Sequence, residues 1–337
     1  MIEKGKRVIE QAVDKGLIPG AAFGYLTDEL EEYDFYGYAS LIPEKKELSL
    51  DFLYDMASLS KVVVTTTLIL KLIEEGYFAL DICISDILKD MPFSFTIKEL
   101  LTHTSGLPGD DKKYRECKDK NEIYEFCRNL KLQNEPGKIV DYSDFGFIIL
   151  GYVIERYKGN LETYAKEIIF DPLGMNNAMY NPALKGYRES CAPTELSEKR
   201  GLIQGEVHDG KAFIMGGVSG NAGLFCNVKD VGRFVRMILD GGQGILNRDS
   251  VSLFRRNYTE NLNLNRTLGW CLASEDYANG HHYSNETLFH TGFSGTSIYI
   301  DLKQRIGIIL LCNRVHPSRD NPYIVDIRNA FHDALLS

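Results

Sequence analysis

Strand-like segments sit at both ends of this chain and helical periodicity fills its middle, and that order restricts the fold more than any other feature. An amphipathic helix is expected over residues 2–16. Gly20-Ala21-Ala22-Phe23-Gly24-Tyr25-Leu26-Thr27 and Glu32-Tyr33-Asp34-Phe35-Tyr36-Gly37-Tyr38-Ala39 then read as a hairpin joined by a charged turn. Near the other end, Leu288-Phe289-His290-Thr291, Thr296-Ser297-Ile298-Tyr299-Ile300 and Ile306-Gly307-Ile308-Ile309-Leu310-Leu311 read as a meander, with Gly295 and Lys303-Gln304 at its turns. A closing helix is expected over about 322–336. Between the ends, from residue 80 to about 225, the pattern is mostly helical. Thr96-Ile97-Lys98-Glu99 is a capping box, helices are expected over 119–131, 144–158 and 160–169, and Asn227 caps another that runs through Asp240. Strands from both termini imply one sheet with a helical domain inserted, which is α+β logic rather than strict βαβ alternation.

Ser58-Leu59-Ser60-Lys61 opens a well-signalled helix that continues through Val62-Val63-Val64-Thr65-Thr66-Thr67 to a stop at Gly76. No other serine of the chain has a lysine three positions later. On a helix that spacing puts both side chains on one face. Serine is a poor nucleophile unless a base or cation stands beside it, and a helix N-terminus favours a developing anion. Tyr142-Ser143-Asp144 and His290-Thr291-Gly292 follow in that order, the first on a loop entering a helix and the second at a strand end.

These three elements resemble the signature of the serine β-lactamase and penicillin-binding-protein superfamily: S-x-x-K, then Y/S-x-N, then K-T-G. The class C β-lactamase, D,D-peptidase and esterase branch is the most similar. Glu99-Leu100-Leu101-Thr102-His103-Thr104-Ser105-Gly106-Leu107-Pro108, Gly146-Phe147-Ile148-Ile149-Leu150-Gly151, Asp171-Pro172-Leu173-Gly174-Met175 and Gly216-Gly217-Val218-Ser219-Gly220-Asn221-Ala222-Gly223-Leu224-Phe225 resemble it too. The resemblance implies a mostly antiparallel sheet flanked by helices, formed by residues 1–80 and 226–337. An inserted all-helical domain would span 81–225, with the catalytic cleft between the two. It implies acyl transfer through a seryl ester on Ser58, with Lys61 polarising Ser58 Oγ and Tyr142 shuttling the proton. A tyrosine, with an ordinary pKa of about 10, serves as a base only where nearby cations lower it. The backbone N–H groups of Ser58 and Phe293 would form the oxyanion hole. Asp144, His290, Thr291 and Gly292 would bind substrate, Gly292 by leaving room for it beside the strand. His103, His208, Asp209 and Asn221 would line the cleft or orient its loops.

Two positions depart from the pattern. His290 stands where lysine is usual, which would make that charge titrate near neutrality. Asp144 stands where asparagine is usual; an ionised carboxylate only accepts hydrogen bonds, whereas an amide donates to a β-lactam or peptide carbonyl. Asp144 therefore argues against an efficient β-lactamase and can instead hold Lys61 protonated, leaving the base role to Tyr142. Carboxylesterase, peptidase or amidase on D-amino-acid or muramyl peptides, and true β-lactamase stay open. So does a catalytically idle protein that binds a peptide or acyl ligand in the cleft.

A chain of 337 residues with formal net charge −9 is a poor partner for nucleic acid or an anionic membrane. No run approaches the ~18 apolar residues of a membrane span, and the charged N-terminus has no apolar signal core. The seven cysteines are scattered without a C-x-x-C pair, as in a reducing compartment. A cytoplasmic location is expected, or an extracytoplasmic one if a leader was removed. His281 and His282 have no carboxylate or cysteine at ligand spacing, so neither metal nor other cofactor is expected. The expected partner is a small ester, amide or short peptide.

Overall fold

The computed structural model describes residues 1–337. Seven strands form one sheet in the order Lys46–Glu47, Glu31–Ser40, Gly20–Leu26, Ile306–Cys312, Ser297–Asp301, Thr287–Thr291, Cys271–Leu272, and each neighbouring pair is antiparallel. The two ends of the chain meet at its centre, where Phe23 stands opposite Leu310. Period-2 alternation sorts the side chains to the two faces. Phe23, Tyr25, Phe289, Tyr299, Ile308 and Leu310 pack on one face beneath the helices Ile2–Asp14 and Ile324–Leu336. Ala22, Leu26, Leu288, Ile298, Ile300 and Ile309 pack on the other, against Val231, Phe234 and Val235 of helix Val228–Leu239.

That second core continues without a break through Leu68 and Ile69 into Phe145, Phe147 and Leu150 of helix Asp144–Lys158. The segments carrying Ser58, Tyr142 and His290 are thus mounted on one packed interior, whose close packing holds their relative positions. The architecture is α+β, an antiparallel sheet with flanking helices, as the order of elements in the sequence implies. No helix is long and apolar enough to cross a membrane.

The structure differs from expectation in two places near the site. Segment 81–225, expected to be all-helical, also carries the short strands Met179–Tyr180, Leu196–Ser197 and Gly201–Leu202. Leu224–Cys226 pairs with both Met179–Tyr180 and Tyr54–Asp55 in a separate three-stranded sheet. Strands of two residues leave no alternation to read. Secondly, the helix after Ser58 begins with π-helical turns over Lys61–Thr66 and becomes α-helical only over Thr67–Glu74. Thr66 and Thr67 donate their hydroxyls to the carbonyls of Lys61 and Val62, five residues back, and Thr65 donates to Gly220 O. These side-chain bonds accompany the widened turn, a form often found at functional sites.

Candidate active site

Ser58 sits on a turn just ahead of that helix, fed by the strand Tyr54–Asp55. Ala57 has φ 46°, a left-handed conformation that costs a non-glycine residue about 1–3 kcal/mol and persists only when the surroundings enforce it. Buried Asp55 enforces it: one carboxylate oxygen accepts from Ala57 N–H at 2.8 Å and the other from His208 N–H at 2.7 Å. Burial pushes the Asp55 carboxyl up, and the same two N–H groups oppose that rise. On the facing strand end, Ser294 Oγ donates to Asp55 O at 2.8 Å and Thr296 Oγ1 to Met56 O at 3.3 Å. The turn and the strand end are therefore stitched together. A Cβ on Gly292 would lie 2.6 Å from Met56 O and 2.2 Å from Thr296 Oγ1. The space that a side chain at 292 would need is thus taken by the nucleophile turn and Thr296. Neither Ser58 N–H nor Phe293 N–H is taken by an internal acceptor.

Lys61 is fully buried, and its ammonium donates to Ser58 Oγ at 2.9 Å, Asp144 Oδ1 at 2.7 Å and Asn221 O at 3.0 Å. Three acceptors use all three protons of an ammonium. Burial works against that charge, but Asp144 and Tyr142 outweigh it and raise the Lys61 pKa. Asp144 opens helix Asp144–Lys158, where the helix dipole favours an anion. Burial disfavours its ionisation too, yet Lys61 and Lys211 hold it down at about 2. Lys211 bridges Asp144 Oδ2 at 3.2 Å and Asp110 Oδ1 at 3.1 Å, tying a rim loop to the centre of the site.

Tyr142 is positioned by His103. The His103 carbonyl accepts from Asp141 N–H at 2.9 Å and its Nδ1 accepts from Ser143 N–H at 3.1 Å, so the histidine brackets the tyrosine on both sides. The rings of His103 and Tyr142 lie 4.4 Å apart, and Lys61 Nζ is 5.0 Å from the Tyr142 ring centre. His290 lies 6.1 Å from the Tyr142 ring and 6.5 Å from that of Trp270. Its Nδ1 meets Thr291 O at 3.0 Å, whereas its buried Nε2 has no partner. The expectation that His290 carries a charge titrating near neutrality is corrected here. Burial, then the charges of Arg266 and Lys61, push its pKa well below the ordinary histidine value, and the same causes keep His103 neutral. Thr291 ends the strand next to it, half-buried.

His208, Asp209 and Asn221 brace the site's surroundings. His208 Nε2 meets Glu195 Oε2 at 2.8 Å while its ring stacks on the exposed Phe293 ring at 5.7 Å. Asp209 caps helix Gly210–Ile214 and accepts from Asn221 Nδ2 at 3.1 Å. His281 lies outside this group and pairs with Asp333 at 2.7 Å. Sequence reading misses Asp55, Lys211 and Arg266. No motif marks them, because each acts on partners far away along the chain.

The model of the Beta-lactamase family matches residues 6–329. A protein of Escherichia coli O157:H7 named "Putative D-alanyl-D-alanine carboxypeptidase" is 30% identical over 94% of this chain and 83% of its own length. A protein of the same name from Salmonella typhi is 30% identical over 96% and 81%. Among solved structures, EstCE1, a hydrolase with promiscuous acyltransferase activity, superposes with TM-score 0.80 at 22% identity, covering 98% of each chain. Simvastatin synthase (LovD) from Aspergillus terreus gives TM-score 0.80 at 20% identity over 99% and 98% of the chains. At such identities the structures speak for the fold alone, whereas the family match and the relatives at 30% span nearly the whole chain. The chain belongs to the Beta-lactamase family, within the serine-hydrolase superfamily.

Proposed function

We propose that this protein hydrolyses an ester or amide through a seryl acyl-enzyme on Ser58, in the manner of the class C-like esterase and D,D-peptidase branch. The cleft would lie between a sheet domain, 1–80 with 226–337, and a helical domain, 81–225. The observation that carries the reading is the saturated ammonium of Lys61, one of whose three bonds is to Ser58 Oγ. A lysine in that state has no lone pair and cannot be the base. It polarises Ser58 Oγ and leaves the serine proton to Tyr142. Ser58 Oγ then bonds to the carbonyl carbon as Tyr142, in its phenolate form, takes the proton and becomes the neutral phenol, and the oxyanion is received by the N–H groups of Ser58 and Phe293. The leaving group departs with the proton returned by Tyr142. Water, deprotonated by the same residue, releases the acid and restores Ser58.

Asp144, ionised and facing Lys61 and Lys211, has no hydrogen to offer a substrate amide. This favours esters over β-lactams. The kcat/KM for p-nitrophenyl acetate is expected to exceed that for nitrocefin, and Asp144→Asn is expected to narrow the gap by improving β-lactam acylation. Faster wild-type turnover of nitrocefin would overturn the ester preference. A second reading, a carboxypeptidase on D-alanyl peptides, is supported by the names of the relatives at 30% identity. Release of D-alanine from a D-Ala-D-Ala peptide tests it in the same assay panel. The intact Ser58–Lys61–Asp144 network counts against an idle binding protein, and failure of Ser58 to react with any fluorophosphonate or penicillin probe would favour one.

A further inference from the structure

Arg266 is 3% exposed, on the loop that leads to strand Cys271–Leu272. Its backbone is fixed on both sides: its N–H donates to Thr259 Oγ1 at 2.8 Å, and its carbonyl accepts from Tyr258 N–H at 2.8 Å. The loop is also fastened to the segment carrying Tyr142. Asn263 accepts from Val140 N–H at 2.8 Å and donates to Val140 O at 3.0 Å. The guanidinium carbon lies 5.6 Å from the Tyr142 ring centre and 5.8 Å from that of Tyr277. Nε and Nη1 are buried without a hydrogen-bond partner, and no carboxylate stands within 4.0 Å. A permanent cation buried without a counter-ion is costly, and such cost is borne where an anion forms during function.

The groups facing Tyr142 are Lys61 from the nucleophile helix, His103 from the loop before it, His290 from the sheet, Arg266, and its chain neighbours Asp141 and Asp144. Lys61 acts on Tyr142 too, but its charge is shared with Asp144, and burial drives both histidines toward their neutral forms. Arg266 is the one cation beside the phenol with no carboxylate of its own.

We propose that Arg266 is a positioning residue that supplies a fixed positive charge stabilising the Tyr142 phenolate. It does so through space across the ring of Tyr142, without touching substrate. This rests on the assignment of Tyr142 as the base. Tyr142 can accept the Ser58 proton only as the phenolate, and a preorganised guanidinium favours that anion before the transfer and again when the proton is passed on, with no reorganisation needed during the reaction.

The test uses the full chain and a neutral ester, p-nitrophenyl acetate, with kcat and KM measured from about pH 5 to about pH 9. In Arg266→Met the acid limb of kcat/KM should move up by about 1–2 pH units, as expected for a charge at this range. Activity at pH 7 should fall about tenfold or more and recover on raising the pH, with kcat changing more than KM. Arg266→Gln, polar but neutral, should behave the same way should the methionine variant fail to fold. Arg266→Lys, which keeps a charge, should retain a limb near that of wild type. A uniform drop with the limb unmoved, or a lysine variant as impaired as the methionine one, would overturn the proposal in favour of a structural role. A loss confined to KM for anionic substrates would overturn it in favour of a carboxylate receptor. Tyr142→Phe separates the two levels of argument. If it stays active, the base assignment itself fails; if it is inactive while the Arg266 variants keep the wild-type limb, only the role of Arg266 fails.

Discussion

Replacing Ser58 with alanine is expected to abolish turnover and covalent labelling while leaving the fold intact. Ser58 Oγ has one protein partner, Lys61 Nζ, and Lys61 keeps Asp144 and Asn221 O when that partner is lost. The residue is only half-buried, so no cavity opens in the core. One proton of the buried Lys61 ammonium loses its acceptor, so the stability change should be about 1–3 kcal/mol, toward the low end where water enters the space left by the hydroxyl. The rate change should be far larger. Removing the nucleophile of a serine hydrolase costs on the order of 10⁶-fold in kcat, and residues that work as a unit are strongly non-additive. Ser58→Ala/Lys61→Met should then be little worse than either single variant. The measurements are p-nitrophenyl acetate turnover, mass increase after treatment with a fluorophosphonate, and thermal unfolding. A Ser58→Ala protein with activity near that of wild type would remove Ser58 from the mechanism.

The sheet was readable because its strands are long enough to show a period. Phe23, Tyr25, Ile308 and Leu310 alternate with Ala22, Leu26, Ile309 and Leu311, and the structure sends the two sets to opposite cores. The capping box at Thr96 and the Asn227 cap were readable because they are local chemistry. What escaped is non-local. The π-helical start after Ser58 accompanies a threonine bond to Gly220, and the two-residue strands owe their existence to Leu224–Cys226 pairing between them. In the site, the order of Ser58, Lys61, Tyr142 and His290 was visible, but the charge states were not. A histidine at position 290 suggests a titrating cation until the burial around Trp270, and the neighbours Arg266 and Lys61, are known. Asp144 was visible as a departure from asparagine. The reason it is tolerated lies in Lys211, which reaches it from another segment.

Because of its pairing with two buried lysines, loss of the Asp144 side chain should affect both stability and pH behaviour. Asp144→Ala leaves the fully buried ammonium of Lys61 with only neutral acceptors, whereas Lys211 keeps Asp110. Removing one partner of a buried ion pair costs about 3–5 kcal/mol, mostly the penalty of the stranded charge. Asp144→Asn retains an acceptor for Lys61 and should lose less. The pH dependence follows from the depressed carboxyl. Asp144 is held at about 2, against an ordinary aspartate value near 4, so its contribution to stability is complete above about pH 4 and is lost as the pH falls toward about 2. Wild type should show that acid loss, and the alanine variant, already without the interaction, should show a shallower decline over the same window. At the alkaline end the sign reverses. The raised Lys61 pKa contributes stability that is present below the ordinary lysine value and fades as the pH climbs past it, and removal of Asp144 should erase that contribution too. Urea unfolding at pH 7, repeated through the acid range with circular dichroism, measures both quantities. Equal stability at pH 7 with superimposable acid profiles would mean that the Lys61–Asp144 pair contributes nothing to the fold, and that its place in the site is owed to chemistry alone.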